Sequence, residues 1–173
     1  WSAPRHVPGI AGATEWDFSR IQDDCMETET LHEFLHLQAT DLHLSASLAK
    51  VMDELIDSIS DDGYFVGEVG MIAFDCGVGY DCVDELLGVL QRFQPAGVGA
   101  RDVRECLILQ IPESEPHAHV LRDLIENHLD DIAAGRLSSL TRELGISLDE
   151  MARLKREIIA MNPRPGGTFY QRP

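Results

Sequence analysis

Apolar residues recur along this chain at the spacing of one helical face, and nowhere at the two-residue spacing of a half-buried strand. The clearest run is Leu48, Val51, Met52, Leu55, Ile56 and Ile59, which fall at i, i+3, i+4, i+7, i+8 and i+11. Such a stripe fits a helix buried along one side only. Hydrophobic residues make up 44% of the 173, enough for stripes of this kind to bury one another in a core. The pattern predicts an all-α fold.

Helix starts and stops can be read between the stripes. Thr30-Leu31-His32-Glu33 is a capping box, and Leu31, Phe34, Leu35 and Gln38 follow at helical spacing. A second helix starts at Ser45 or Ser47 and is predicted to end at Asp61-Asp62-Gly63, with Gly63 in the left-handed C′ position. A short helix is expected over 68–74 and a longer one over 80–93, which is stopped by Gln94-Pro95-Ala96-Gly97. Another spans about 100–111, with Val103, Cys106 and Leu107 on one face. Pro112-Glu113-Ser114-Glu115-Pro116 reads as an internal linker. Beyond it one helix is expected over 117–134 and a short one over 138–144. Ser147-Leu148-Asp149-Glu150 is a second capping box, opening a last helix that carries Met151, Leu154, Ile158 and Met161. Residues 28–111 thus read as one helical subdomain and 117–163 as another. Residues 1–27 read as a linker with little structure of its own, with Trp16 and Phe18 as surface anchors. Residues 164–173 read as a second linker. The chain opens on Trp1 and stops at Gln171-Arg172-Pro173, so we read it as a piece of a longer protein.

The two halves echo each other at a constant offset of 68. It pairs Gly77 with Gly145, Val78 with Ile146, Val83 with Met151, Leu86 with Leu154, Leu90 with Ile158 and Pro95 with Pro163. Each unit reads as short helix, glycine turn, longer helix, proline stop, the outline of a helix-turn-helix pair. That shape raises a stand-alone DNA-binding regulator as an alternative function. A reading helix needs Arg, Lys, Asn or Gln near its start to reach base edges. Here those positions hold Tyr80, Asp81, Asp84 and Glu85 in one unit, and Asp149 and Glu150 in the other. Carboxylates there repel phosphates, so both units read as DNA-reader shapes used for protein contact.

Charge points the same way. The net charge is −16. Arg153, Lys155, Arg156, Arg164 and Arg172 against Glu157 leave residues 153–173 at +4, and the preceding 152 residues then carry −20. The acidic body suggests a basic protein partner, and the basic tail suggests that a nucleic-acid-facing part follows.

Reaction chemistry is thinly signalled. His32-Glu33-Phe34-Leu35-His36 matches the H-E-x-x-H string of zinc hydrolases, a second alternative. Glu33 is also the capping partner of Thr30, and no third metal ligand follows at a matching position. His128-Leu129-Asp130-Asp131 lacks the adjacent His-Asp pair of metal phosphohydrolases. Gly97-Val98-Gly99 begins like a dinucleotide loop, but Asp102 stands where the third glycine belongs. Cys25, Cys76, Cys82 and Cys106 form no C-x-x-C pair and read as reduced thiols. No apolar run approaches the roughly 20 residues that cross a bilayer, and no signal peptide is visible, so no membrane association is expected and a cytoplasmic location is. No cofactor is expected.

The run from Phe93 to Gln110, with Pro95-Ala96-Gly97-Val98-Gly99-Ala100-Arg101-Asp102 at its centre, closely resembles the central motif of sigma-54 factors. Asp61-Asp62-Gly63-Tyr64, Leu144-Gly145-Ile146-Ser147 and Met161-Asn162-Pro163-Arg164-Pro165-Gly166 resemble that family in order and spacing, from about Thr28 to Pro173. The resemblance implies the core-binding domain of a non-catalytic polymerase subunit, built of two helical subdomains that hold the factor on the beta and beta-prime subunits of core RNA polymerase. It also implies an activator-responsive segment upstream, which answers to an AAA+ ATPase, and a promoter-reading domain downstream. By itself this stretch should not recognise a promoter. Gly97, Gly99, Arg101, Asp102 and Arg104 are the candidate partner-binding residues. The glycines permit close backbone approach, and the arginines can pair with acids either on polymerase or within the chain.

Overall fold

The computed structural model describes residues 30–169. The expectations for residues 1–27, including Trp16, Phe18 and Cys25, and for residues 170–173 lie outside them. Among the described residues the fold is helical, with no strand and two isolated bridges, Ile59 with Phe65 and Tyr64 with Ala100. The helices are α1 Leu31–Thr40, α2 Ala46–Asp57, α3 Val69–Cys76, α4 Tyr80–Leu90, α5 Val103–Leu109, α6 Ala118–Asn127, α7 Leu129–Ala133, α8 Leu137–Leu144 and α9 Leu148–Ala160. None is long and apolar enough to cross a membrane.

Two apolar cores organise them. The stripe of α2 meets Leu31 and Leu35 of α1, Ile72 of α3, and Val83, Leu86 and Leu90 of α4 in the first. Leu121, Leu124 and Ile125 of α6 meet Leu140 of α8 and Met151, Leu154 and Ile158 of α9 in the second. Helix α5 serves both sides. Its Leu107 and Ile108 pack into the second core, while the buried Cys106 turns toward the Gly97 loop.

The 68-residue echo holds residue by residue. α3 and α8 start at Val69 and Leu137 and end at Cys76 and Leu144, and α4 and α9 start at Tyr80 and Leu148. Gly77 and Gly145 take the same left-handed conformation, with φ of 67° and 68°. Val78 and Ile146 donate backbone bonds to Ala73 and Thr141, again 68 apart. The echo extends to the proline stops. The Gln38 side chain grips both backbone groups of Gln94, at 2.7 and 2.8 Å. The Gln110 side chain grips both backbone groups of Asn162, at 2.6 and 2.8 Å. In each unit a glutamine amide thus satisfies the backbone just before proline, where no helix continues.

Several boundaries differ from the sequence expectation, each for a tertiary reason. α2 ends at Asp57 because the Ser58 hydroxyl donates to Glu54 O, and Ile59 leaves the helix to bridge Phe65. Gly63 does have positive φ (98°), but it serves the turn between Ser60 and Tyr64 and is not a helix cap. The expected helix over 117–134 breaks at His128. The carbonyls of Ile125 and Glu126, which would accept from residues 129 and 130, both accept from Arg104 Nη1 at 2.9 Å instead. The first capping box is complete, with Glu33 N donating to Thr30 Oγ1 and Thr30 N to Glu33 Oε2. The second is half made. Ser147 accepts from Glu150 N, but the Glu150 carboxylate turns to Arg153, at 2.8 Å.

After α9 the chain does not leave the body. The Tyr64 hydroxyl donates to Pro163 O, Gly166 N donates to Asp62 O at 2.9 Å, and the Phe169 ring lies 5.7 Å from that of Phe34. A Cβ on Gly166 would sit 2.3 Å from Asp61 O, and one on Gly63 would sit 2.8 Å from Pro165 Cγ. Gly63→Ala or Gly166→Ala should therefore lower stability by about 1–3 kcal/mol, read as a shift in urea midpoint. Gly145→Ala, where a Cβ meets open space and only the left-handed backbone is strained, should cost about 1 kcal/mol.

Candidate functional site

Three of the four motif segments, separated by up to about 100 residues in sequence, meet at one point, while Leu144–Ser147 lies apart at the turn between α8 and α9. The Asp61–Tyr64 turn lies between the Pro95–Ala100 loop and the Pro163–Gly166 strap. Gly99 N donates to Gly63 O at 2.9 Å, Phe65 N donates to Ala100 O at 2.9 Å, and the strap closes the other side. Burial and the adjacent Cys106 thiol push the Tyr64 phenol up to about 12, so it remains a donor to Pro163 at neutral pH. Burial likewise pushes the Cys106 thiol up, which suppresses thiolate chemistry.

The five residues singled out from sequence lie in or beside this junction, and four are committed within the fold. Gly97 (φ 93°) is buried against α5, where a Cβ would stand 2.7 Å from Cys106 Sγ. Gly99 (φ 82°) makes the bond to Gly63 and is backed by Gln91. Asp102 caps α5 by accepting from Glu105 N at 2.8 Å. The Glu105 carboxylate in turn accepts from Arg101 N and from the Gln91 side chain. Arg104 caps α6 and pairs with Asp130 at 3.6 Å. The Arg101 guanidinium faces solvent, 52% exposed, with a long contact of 3.5 Å to Asp84. A pair this exposed contributes little to stability and leaves Arg101 available.

The zinc-like string is dispersed by the fold. Glu33 closes the capping box, His32 Nε2 donates to Ile59 O at 2.8 Å, and His36 faces Asp53 and Asp57 across α2. His128 lies between Asp123 and Asp131. Among the described residues no group of three or more His, Cys, Asp or Glu is arranged to hold a metal.

Sequence reasoning passed over the outer side of the first helix-turn-helix pair. Phe74 is 84% exposed, Tyr80 58% and Met71 57%. The sequence carried a signal for them. With Val69, Ile72 and Ala73 facing in, Met71 and Phe74 fall together on the opposite side of α3. Around them Glu68, Asp75, Asp81, Asp84 and Glu85 are all exposed, and no Lys, Arg or His occurs from Phe65 to Leu90.

These placements separate packing arginines from free ones. Arg104→Ala strips two helix carbonyls of their partner and should destabilise the chain by about 1–3 kcal/mol in thermal or urea unfolding. Arg101→Ala should change stability by less than about 0.5 kcal/mol.

Comparison with known proteins agrees with this organisation. The family model described as the sigma-54 factor, core binding domain, matches residues 20–173. The RNA polymerase sigma-54 factor of Caulobacter vibrioides is 32% identical over 147 residues, covering 85% of this chain and 29% of that protein. That of Pseudomonas aeruginosa is 33% identical over 159 residues, covering 88% and 31%, and that of Bacillus subtilis is 30% identical over 141, covering 82% and 32%. The chain spans about a third of the length of these curated relatives. Two helical bundles joined by the Pro95–Asp102 loop, with the family match running across both, establish that the chain belongs to the sigma-54 factor core-binding domain family.

Proposed function

We propose that this chain is the part of a sigma-54-type factor that holds core RNA polymerase, through its beta and beta-prime subunits. The observation that carries the reading is the core-binding family match over residues 20–173. The charge supports it, since a chain with a net charge of −16 suits a basic protein partner and repels a phosphate backbone. In this reading the chain is a non-catalytic subunit acting in the cytoplasm. Promoter recognition and the response to an AAA+ activator ATPase belong to other parts of the whole protein.

A stand-alone DNA reader is disfavoured by the start of α4, where Asp81, Asp84 and Glu85 are exposed at the positions from which a reading helix contacts bases. Immobilised chain incubated with core polymerase lacking sigma tests the proposal. Retention at low salt that weakens as ionic strength rises is expected, with no mobility shift of duplex DNA. Loss of polymerase retention at low salt, or tight sequence-selective DNA binding, would overturn it.

A further inference from the structure

We propose that the outer side of the α3–α4 pair, with Phe74 at its centre and Met71 and Tyr80 beside it, is the face that seats on core RNA polymerase. Its counterpart there would be an apolar hollow bordered by Lys and Arg side chains. This rests on the polymerase-docking reading above and assigns it to one surface.

The first argument is exposure. Aromatic and thioether side chains left this open keep most of their apolar surface in water. Tyr80 is held over α3, where its ring would be 3.9 Å from a Cβ on Gly70, so it extends the surface that Met71 and Phe74 begin.

The second is the internal echo, which acts as a built-in control. The positions 68 residues after Met71 and Phe74 hold Ser139 and Arg142, in a helix of the same length with the same glycine cap. The fold therefore accepts polar and charged groups at these two positions, and folding alone does not require Met71 and Phe74 there. Leu148, the counterpart of Tyr80, is equally open at 61% but lacks this apolar company.

The third is charge. Glu68, Asp75, Asp81, Asp84 and Glu85 are exposed on and beside α3 and α4; Arg101 lies 3.5 Å from Asp84 and Lys50 reaches the Asp75 carbonyl, so the rim is acidic on balance and suits a partner that brings cations. Arg101 and Asp84 line one end of the shallow cleft beside Tyr80, together with Glu68. A cation on the partner would find Glu68 there and would share Asp84 with Arg101. An apolar centre with a polar rim is the arrangement of a protein interface, and a nucleic-acid duplex offers no match for either part.

The test uses the whole chain and core polymerase in a binding titration. Phe74→Arg and Met71→Ser, which install the residues of the second unit, should each leave helix content and unfolding midpoint unchanged. Each should weaken binding, Phe74→Arg by about tenfold or more. Leu148→Ser on the second unit should bind like the parent chain. Parent-level binding by both Phe74→Arg and Met71→Ser would overturn this assignment while leaving the polymerase reading intact. Failure of the parent chain to bind would overturn both. Should either variant lose its fold, the other decides.

Discussion

The carbonyl of Gly63 accepts the amide of Gly99, and the space above its α-carbon is filled by Pro165 and the Gly166 backbone. Through this residue a turn of the first bundle, the loop leading into α5 and the strap after α9 become one piece. The amide clamps reinforce it. Gln110 leaves α5 to hold Asn162 where α9 has stopped, and Tyr64 reaches Pro163 one residue later. Each contact satisfies a backbone group that the proline stop or the tight turn has left without a helical partner. The cooperating bonds are few, but they join segments far apart in sequence, so disturbing one backbone position loosens the relation between both bundles.

This arrangement accounts for the contrast between the residues that identify the chain and those that face outward. Gly97, Gly99, Asp102 and Arg104 point into the joint or cap helices. At the two glycines positive φ and close approach leave few substitutions tolerable, and Asp102 and Arg104 are fixed by the helix-end groups they satisfy. The outer side of α3 and α4 bears no such constraint and carries the exposed aromatic residues and the carboxylates. A joint tied by backbone bonds and an apolar, acid-rimmed outer face suit a docking module, since a preorganised surface loses less freedom on binding.

Much of the fold was legible in the sequence because helical stripes are local signals. The α2 stripe as far as Ile56, the capping box at Thr30 and the offset of 68 all appear in the structure where the residues placed them. What was not legible depends on partners distant in the chain. The break at His128 is made by Arg104, and the end of α2 by the bridge between Ile59 and Phe65. The open half of the second capping box follows from Arg153 taking Glu150. Residues 164–169 read as a linker because nothing local binds them, yet Asp62 accepts from Gly166 N and Phe34 lies against Phe169. At the site, pattern reading found the loop residues through their unusual sequence. It missed Phe74, because an apolar residue on a short helix reads as core until the opposite face is seen to be filled.

Amide hydrogen exchange under native conditions tests the joint most directly. The amides of Phe65, Gly99 and Gly166 each bridge two of the three segments. If the segments form one unit, these amides open only with the bundles and match the protection of core helix amides such as those of Leu86 and Leu154. Exchange of Gly166 and Gly99 at nearly unprotected rates, while Leu86 and Leu154 stay protected, would contradict the account.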